Sequence, residues 1–285
     1  MRQDEPALDL GDLSGRVLIF GGPYSNLEAT RAMRAEAKRL GISAARTICT
    51  GDVVAYCGDP AATVAEIRDW GIPVVMGNCE ESLAEAAADC GCGFEEGSAC
   101  AVLSVDWYSH ANAVLGAEDR AWMAGLPRRI SFRVNAVRLL AIHGGVSSIN
   151  RFVFASTPDA VKSSEMQGLH IDGIVAGHCG LPFTQIVAGR LWHNAGAIGL
   201  PANDGTTEVW YALIEPDGAG IAITHRRLAY DVAAAAASMR HRRLPDGYAL
   251  ALETGLWPSL DVLPAEERQA TGRKIAPPHI HFTPR

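Results

Sequence analysis

The sequence predicts an α/β fold, a partly parallel sheet covered by helices, on three observations. Up to Met76 the chain alternates short apolar runs with longer stretches of helical periodicity, a β-α-β-α-β pattern. From Phe183 onward the pattern turns all-β, with short runs parted by Gly- and Asp-rich turns. Polar residues close several of the apolar runs, at the sheet edge where open α/β folds bind ligands. With 285 residues, 48% of them hydrophobic and 20% charged, the chain is an ordinary globular one with material for a sizeable core.

Residues 1–15 are acidic and lack periodicity, which predicts a mobile lead-in. Arg16 to Phe20 reads as an apolar strand. Leu27 to Leu40 reads as a helix, with Met33, Ala37 and Leu40 on one face and Gly41 as its stop. Ala45 to Cys49 is a β-branched lead-in to Gly51-Asp52. Asp59-Pro60, an N-cap and a first-turn proline, then open a helix that ends near Gly71. Ile72 to Met76 is the next apolar run. Cys79 to Cys100 reads as a Gly- and Cys-rich loop around a short Ala-rich helix, and Val102–Ala113 and Ala117–Gly125 as helices.

Ile130–Val134 and Val137–Ile142 form a hairpin turning at Asn135. A helix around Asp159–Gly168 precedes the strand that leads to His178. Strands follow at Gln185–Val187, Leu191–Asn194, Val209–Ile214 and Ile221–Thr224, with Trp192, Trp210 and Tyr211 as core positions. Tyr230 to Arg240 is an Ala-rich helix, and the proline-punctuated tail to Arg285 reads as a surface wrap. The division expected is a lead-in at 1–15, a main domain at 16–228 and a C-terminal helix with tail at 229–285.

A net charge of −7 argues against a nucleic-acid surface and against a polybasic membrane patch. There is no apolar run of membrane-spanning length, and the start of the chain lacks the pattern of a secretory signal. Seven cysteines, an odd number in a mid-sized chain, predict reduced thiols in the cytoplasm.

Asp52, Asn78, His143 and His178 each follow an apolar run, and together they propose a metal site of mixed oxygen and nitrogen ligands. Each has a plainer reading taken singly. Asp52 serves as a turn carboxylate, Asn78 as a turn amide, and the histidines as satisfied core residues.

In order and setting, Gly51-Asp52, Gly77-Asn78, His143-Gly144 and Gly177-His178, followed by Asn194-Ala195-Gly196, resemble the calcineurin-like metallophosphoesterases. So do the helix start at Ser25-Asn26-Leu27-Glu28 and the motif Gly51-Asp52-Val53-Val54-Ala55-Tyr56, both similar to the small bacterial phosphodiesterase-like branch. The resemblance covers roughly Arg16 to Arg227. It implies a two-sheet β-sandwich flanked by helices, with two metals bridged by one aspartate at the strand ends. It also implies a hydrolase of a phosphate mono- or diester, with a small phosphorylated ligand as its partner.

The departures from the family pattern are organised. Where the family has Asp-x-His-Gly-Asn, this chain has Gly22-Pro23-Tyr24-Ser25-Asn26, and where it has Gly-His-x-His, this chain has Gly177-His178-Cys179-Gly180. All three lost ligands serve one metal. The set implied for the other, Asp52, Asn78, His143 and His178, is whole, so about one Mn, Fe or Zn ion per chain is expected. Cys79 replaces the family's leaving-group histidine, and Asp52, Cys79 and His143 are the catalytic residues expected.

Tyr24, Asn26, Arg151, Cys179 and His193 are further candidates. Tyr24 either fills the vacated first site, ligates through its phenolate or packs. Arg151 is a phosphate contact or a solvated cation, and His193 a replacement ligand or a core residue. Cys79, Cys179 and Cys90-Gly91-Cys92 allow a soft-ligand cluster with altered chemistry, or free thiols. The retromer subunit of the superfamily supplies the contrasting model, a non-catalytic module. The Cys-rich loop, with Tyr248 to Trp257, is expected to cover the mouth of the site.

Overall fold

The computed structural model describes residues 7–284. Two sheets pack face to face with helices outside each, the α/β/β/α sandwich that the family resemblance implies. The strand β2 (Val17–Phe20) shows why the sequence folds this way, since its four residues are all fully buried. Val17 and Ile19 face the other sheet, while Leu18 and Phe20 face the helices, as the period of two requires.

The second sheet runs β11 (Ile280–Phe282), β10 (Gly220–Leu228), β9 (Val209–Asp217), β2, β3 (Thr47–Cys49). The other sheet runs β1 (Leu8–Asp12), β4 (Arg129–Val134), β5 (Val137–Ile142), β6 (Gly173–Ala176), β8 (Arg190–Asn194), β7 (Phe183–Val187). Pairing is parallel at β2–β3, β5–β6 and β6–β8, so these strands end on one edge. Val17, Ile19, Ile48 and Val75 meet Ile130, Phe132, Leu139 and Val175 between the sheets.

Helices α1 (Leu27–Arg39) and α2 (Pro60–Trp70) cover the outer face of the second sheet. Asn26 caps α1 by accepting the Ala29 N–H at 3.0 Å. Gly71, in the left-handed region, ends α2 as expected. Asp59 stands at the N-cap of α2, but its carboxylate accepts from Ser238 and Arg242 instead of capping, which ties α2 to α7 (Val232–His241). The helices α3 (Asn78–Ala84), α4 (Ala99–Val114), α5 (Ala117–Ala124) and α6 (Asp159–Glu165) fill the connections. None among the described residues is long and apolar enough to cross a membrane.

Three expectations change. Leu8–Asp12, expected in a mobile lead-in, is an edge strand held to β4, with Asp12 pairing Arg133 at 2.6 Å; residues 1–6 lie outside the described residues. Ile72–Met76 makes only a single bridge, Val74 to Cys49, because Pro73 and the approaching helix start interrupt the ladder. The tail does more than wrap the surface. From α8 (Asp246–Thr254), Tyr248, Ala249 and Leu252 enter the core, α9 (Ala265–Gln269) follows, and β11 pairs with β10 and buries Phe282. Its prolines interrupt the periodic signal without preventing burial.

Candidate metal centre

At the shared edge of the two sheets, His143 follows β5, His178 lies just beyond β6, Asp52 follows β3 and Asn78 opens α3. Asp52, Asn78 and His143 are buried, and the ligand atoms of Asp52, His143 and His178 all lie within 4.8 Å of one another. Gly51 makes the approach possible. A Cβ there would stand 2.8 Å from His143 Nδ1, and the residue is left-handed at φ +96°.

The orientation of His143 sets the chemistry. Its Nδ1 lies 2.7 Å from the Thr50 carbonyl oxygen, which accepts only, so Nδ1 carries the proton. In the neutral ring Nε2 is then a bare lone pair. It faces Asn78 Oδ1 at 3.1 Å, His178 Nδ1 at 3.1 Å and Asp52 Oδ2 at 3.2 Å. Asn78 presents its oxygen because its Nδ2 donates to the Cys90 carbonyl at 2.9 Å. A single N–H cannot serve so many acceptors, whereas a cation among them satisfies all four. The spacings also fit, because tetrahedral bonds of about 2.0 Å to a first-row ion put ligand atoms about 3.3 Å apart. The residues present therefore suit a divalent ion.

The same contacts set the titration of these groups. Burial pushes the Asp52 carboxyl up, but His143, His178 and the Cys79 N–H outweigh it and hold it below its usual value. Burial lowers His143 while the Asp52 carboxylate raises it further, leaving it above the ordinary imidazole value. Burial and the neighbouring His143 lower His178 to about 3, so that ring is neutral and free to ligate.

The sequence reading overlooked Glu80. Fully buried at the third position of α3, it accepts the backbone N–H groups of Asp52 (2.8 Å), Val54 (3.1 Å) and Gly77 (3.0 Å). It thus holds Asp52 in its left-handed conformation, φ +54°. Burial and the Asp52 carboxylate push Glu80 up to about 7. The signal available was an acid three residues into a helix that opens on Gly77-Asn78. Phe152, whose ring centroid is 4.1 Å from that of His178, was also overlooked.

The other candidates separate. Tyr24 fills the space over Gly22, and burial and the neighbouring Asp52 raise its phenol well above its usual value. Asn26 is a helix cap whose Nδ2 donates to the Gly199 carbonyl. Arg151 is drawn to Glu165 at 3.0 Å and does not line the cleft beside His178.

His193 packs on His225 and bonds Thr184, apart from the ligand group. Cys79 is fully buried, gives its N–H to Asp52 at 3.3 Å, and has a thiol that burial and Asp52 keep neutral. Cys179 lines the cleft as a neutral thiol, pushed up by burial to about 12. Cys90 and Cys92 are joined as a disulfide, against the expectation of free thiols, because the left-handed Gly91 folds the two side chains together. Phe94 of the Cys-rich loop and Tyr248 and Trp257 of the tail are among the residues that line the cleft.

A two-sheet α/β sandwich whose strand ends gather an aspartate, an asparagine and two histidines is a protein of the metallophosphoesterase fold. A metallophosphoesterase from Sphaerobacter thermophilus superposes with a TM-score of 0.65 at 21% identity, over 86% of this chain and 100% of its own. A hypothetical protein from Pyrococcus horikoshii superposes at 0.71 and 15% identity, again over 86% of this chain and 100% of that one. In sequence, an uncharacterized protein of Methanocaldococcus jannaschii is 27% identical over 248 residues, 81% of this chain and 94% of its own length. No protein-family model matches the chain.

Proposed function

We propose that this protein is a metal-dependent phosphoester hydrolase working from one metal site, held by Asp52, Asn78, His143 and His178. The observation that carries the reading is the convergence of Asn78 Oδ1, His178 Nδ1 and Asp52 Oδ2 on His143 Nε2 at 3.1–3.2 Å, with His143 Nδ1 turned to the Thr50 carbonyl. A divalent ion in that ring supplies the charge that polarises a phosphoryl oxygen and acidifies a water.

The chain's own residues do the positioning. Thr50 fixes the tautomer of His143, Glu80 fixes the backbone of Asp52, and Cys90 turns the Asn78 oxygen inward. Phe152 packs against His178 and keeps water from one side of the ring. No clamp of two ions is available, because Tyr24 occupies the space that a first-site ligand at Gly22 would need.

The test is metal analysis of protein purified without added metal, followed by a screen of phosphomonoesters and phosphodiesters with and without Mn. About one ion per chain with Mn-dependent hydrolysis supports the reading, and both should be lost in His143→Ala. Bound metal with no turnover of any ester would favour the second reading, a metal- or ligand-binding module, to which the neutral buried Cys79 and the plugged first site also point.

A further inference from the structure

Asp52, Asn78 and His143 are buried, and His178 lines the cleft beside them. That cleft holds about 50 Å³, room for a few waters and far below the roughly 300 Å³ of the smallest ligand pockets. Part of its wall has to move before a phosphate ester can reach the centre. Most of the wall is tied to the core. Tyr24, Tyr56 and Tyr248 pack on one another, with ring centroids 4.8 Å apart for Tyr24–Tyr56 and for Tyr56–Tyr248. Trp257 is fixed at two points, its backbone N–H donating to Asn203 Oδ1 at 2.8 Å and its Nε1 to the Pro201 carbonyl at 2.6 Å. Leu263 is buried in the core cluster that holds Phe154.

Between those two anchors runs a short arc, Pro258 to Val262, which belongs to no helix or strand. Pro258, Ser259 and Val262 line the cleft, while Pro258 and Asp261 are exposed. The arc is held to the start of α4 instead of to the core. Asp261 Oδ2 accepts the Ala99 N–H at 2.8 Å, an exposed and charge-assisted bond, and the Cys100 side chain lies against the Ser259 hydroxyl. Its own bonds keep the arc in one piece: the Asp261 N–H donates to Ser259 Oγ at 3.2 Å and the Leu263 N–H to the Leu260 carbonyl at 3.0 Å.

We propose that the arc from Pro258 to Val262 is a gate over the metal centre, latched shut by the Asp261 carboxylate on the Ala99 N–H, and that phosphate enters when the latch opens. The identity of what enters rests on the phosphoester reading of the site, whereas the gate itself rests on packing. Opening it breaks one exposed bond and uncovers Leu260 and Val262, which are only partly buried. Moving Tyr248 or Trp257 instead would take apart the core that Tyr248 fills or break both bonds that fix Trp257. The arc is therefore the part of the wall that yields at least cost.

Two variants of the full chain test this. Asp261→Ala opens the latch. Ser259→Cys, oxidised against Cys100, locks it, since the contact between those side chains puts them within reach of a disulfide. Ser259→Cys combined with Cys100→Ser, oxidised alike, is the control. Amide hydrogen exchange at Cys179 and Gly180, which line the cleft, reports opening without any metal. It should be about tenfold faster in Asp261→Ala, the worth of one charge-assisted hydrogen bond, with exchange in β6 unchanged. In the locked chain it should be about tenfold or more slower than in the control. Calorimetry with inorganic phosphate on the Mn-loaded chain should show binding to the control and about tenfold or more weaker binding to the locked chain.

Unchanged exchange at Cys179 and Gly180 in Asp261→Ala would overturn the gate on its own, whatever the metal does. Phosphate bound equally by the locked and control chains would overturn it as well, while leaving the phosphoester reading in place. Exchange that responds to both variants, with no Mn-dependent phosphate binding in any of them, would support the gate and overturn the phosphoester reading instead.

Discussion

The ring of Tyr24 lies over Gly22, so that a Cβ at residue 22 would fall 2.6 Å from Tyr24 Cε1. Glycine at 22 and tyrosine at 24 are therefore one change, a side chain removed so that another can fill its room. Gly22→Asp alone should cost about 2–4 kcal/mol, from overpacking against the ring and from the left-handed backbone at φ +46°. Combined with Tyr24→His, much of that loss should return, and bound metal should rise from about one ion per chain. Thermal melts with elemental analysis of the two variants check this. A second ion bound by the unaltered protein would contradict it.

Glu80 is expected to matter as much as the ligands. Glu80→Ala leaves the N–H groups of Asp52, Val54 and Gly77 without their acceptor, a loss of about 3 kcal/mol or more in urea unfolding. Metal affinity should fall about 10–100-fold as Asp52 loosens. A variant with unchanged affinity would show that Asp52 holds its conformation without Glu80.

Acid sensitivity should come in part from a pair of histidines remote from the metal centre. His193 is fully buried, and its ring centroid is 5.0 Å from that of His225. Burial lowers His225 to about 4 and His193 well below its usual value. Both are neutral when folded and gain a proton on unfolding below the ordinary value of about 6.5. Their folded values are depressed, so full stability is kept above that pH and lost as pH falls through the window. The loss is at most about 1.4 kcal/mol per pH unit for each histidine. Urea melts across pH should show His225→Gln with a shallower slope, and an unchanged slope would move the effect to other groups.

Thiol counting addresses the Cys-rich loop. Cys49, Cys57, Cys79, Cys100 and Cys179 are free, and Cys90 is joined to Cys92. Denatured protein should titrate as five thiols before reduction and seven after it. The carbonyl of Cys90 and the sulfur of Cys92, 3.4 Å away, both accept from Asn78 Nδ2. Reduction should accordingly weaken metal binding slightly without unfolding the protein. Seven thiols at the outset would remove the disulfide.

By itself the sequence determined the α/β class, most element boundaries and the four polar positions, Asp52, Asn78, His143 and His178, that meet at one sheet edge. Those are local matters: strand and helix periods, a proline and a glycine at the ends of α2, and polar residues closing apolar runs. Even the plugged first site was legible, as Gly22, Tyr24 and Gly180 standing where ligands are expected.

Tertiary structure alone decided what depends on partners far apart in the chain. Glu80 reads as an ordinary first-turn acid until the loop after β3 folds over it, 28 residues away. The proline-rich tail reads as a wrap until Tyr248 and Trp257 meet Tyr24 across the cleft, and β11 finds β10. Arg151 and His193 carry residue types suited to a site, but Glu165 and Thr184 hold them away from it. Periodicity records which way a side chain points along its own element. The neighbour it meets is set by how the two sheets and the tail close on one another.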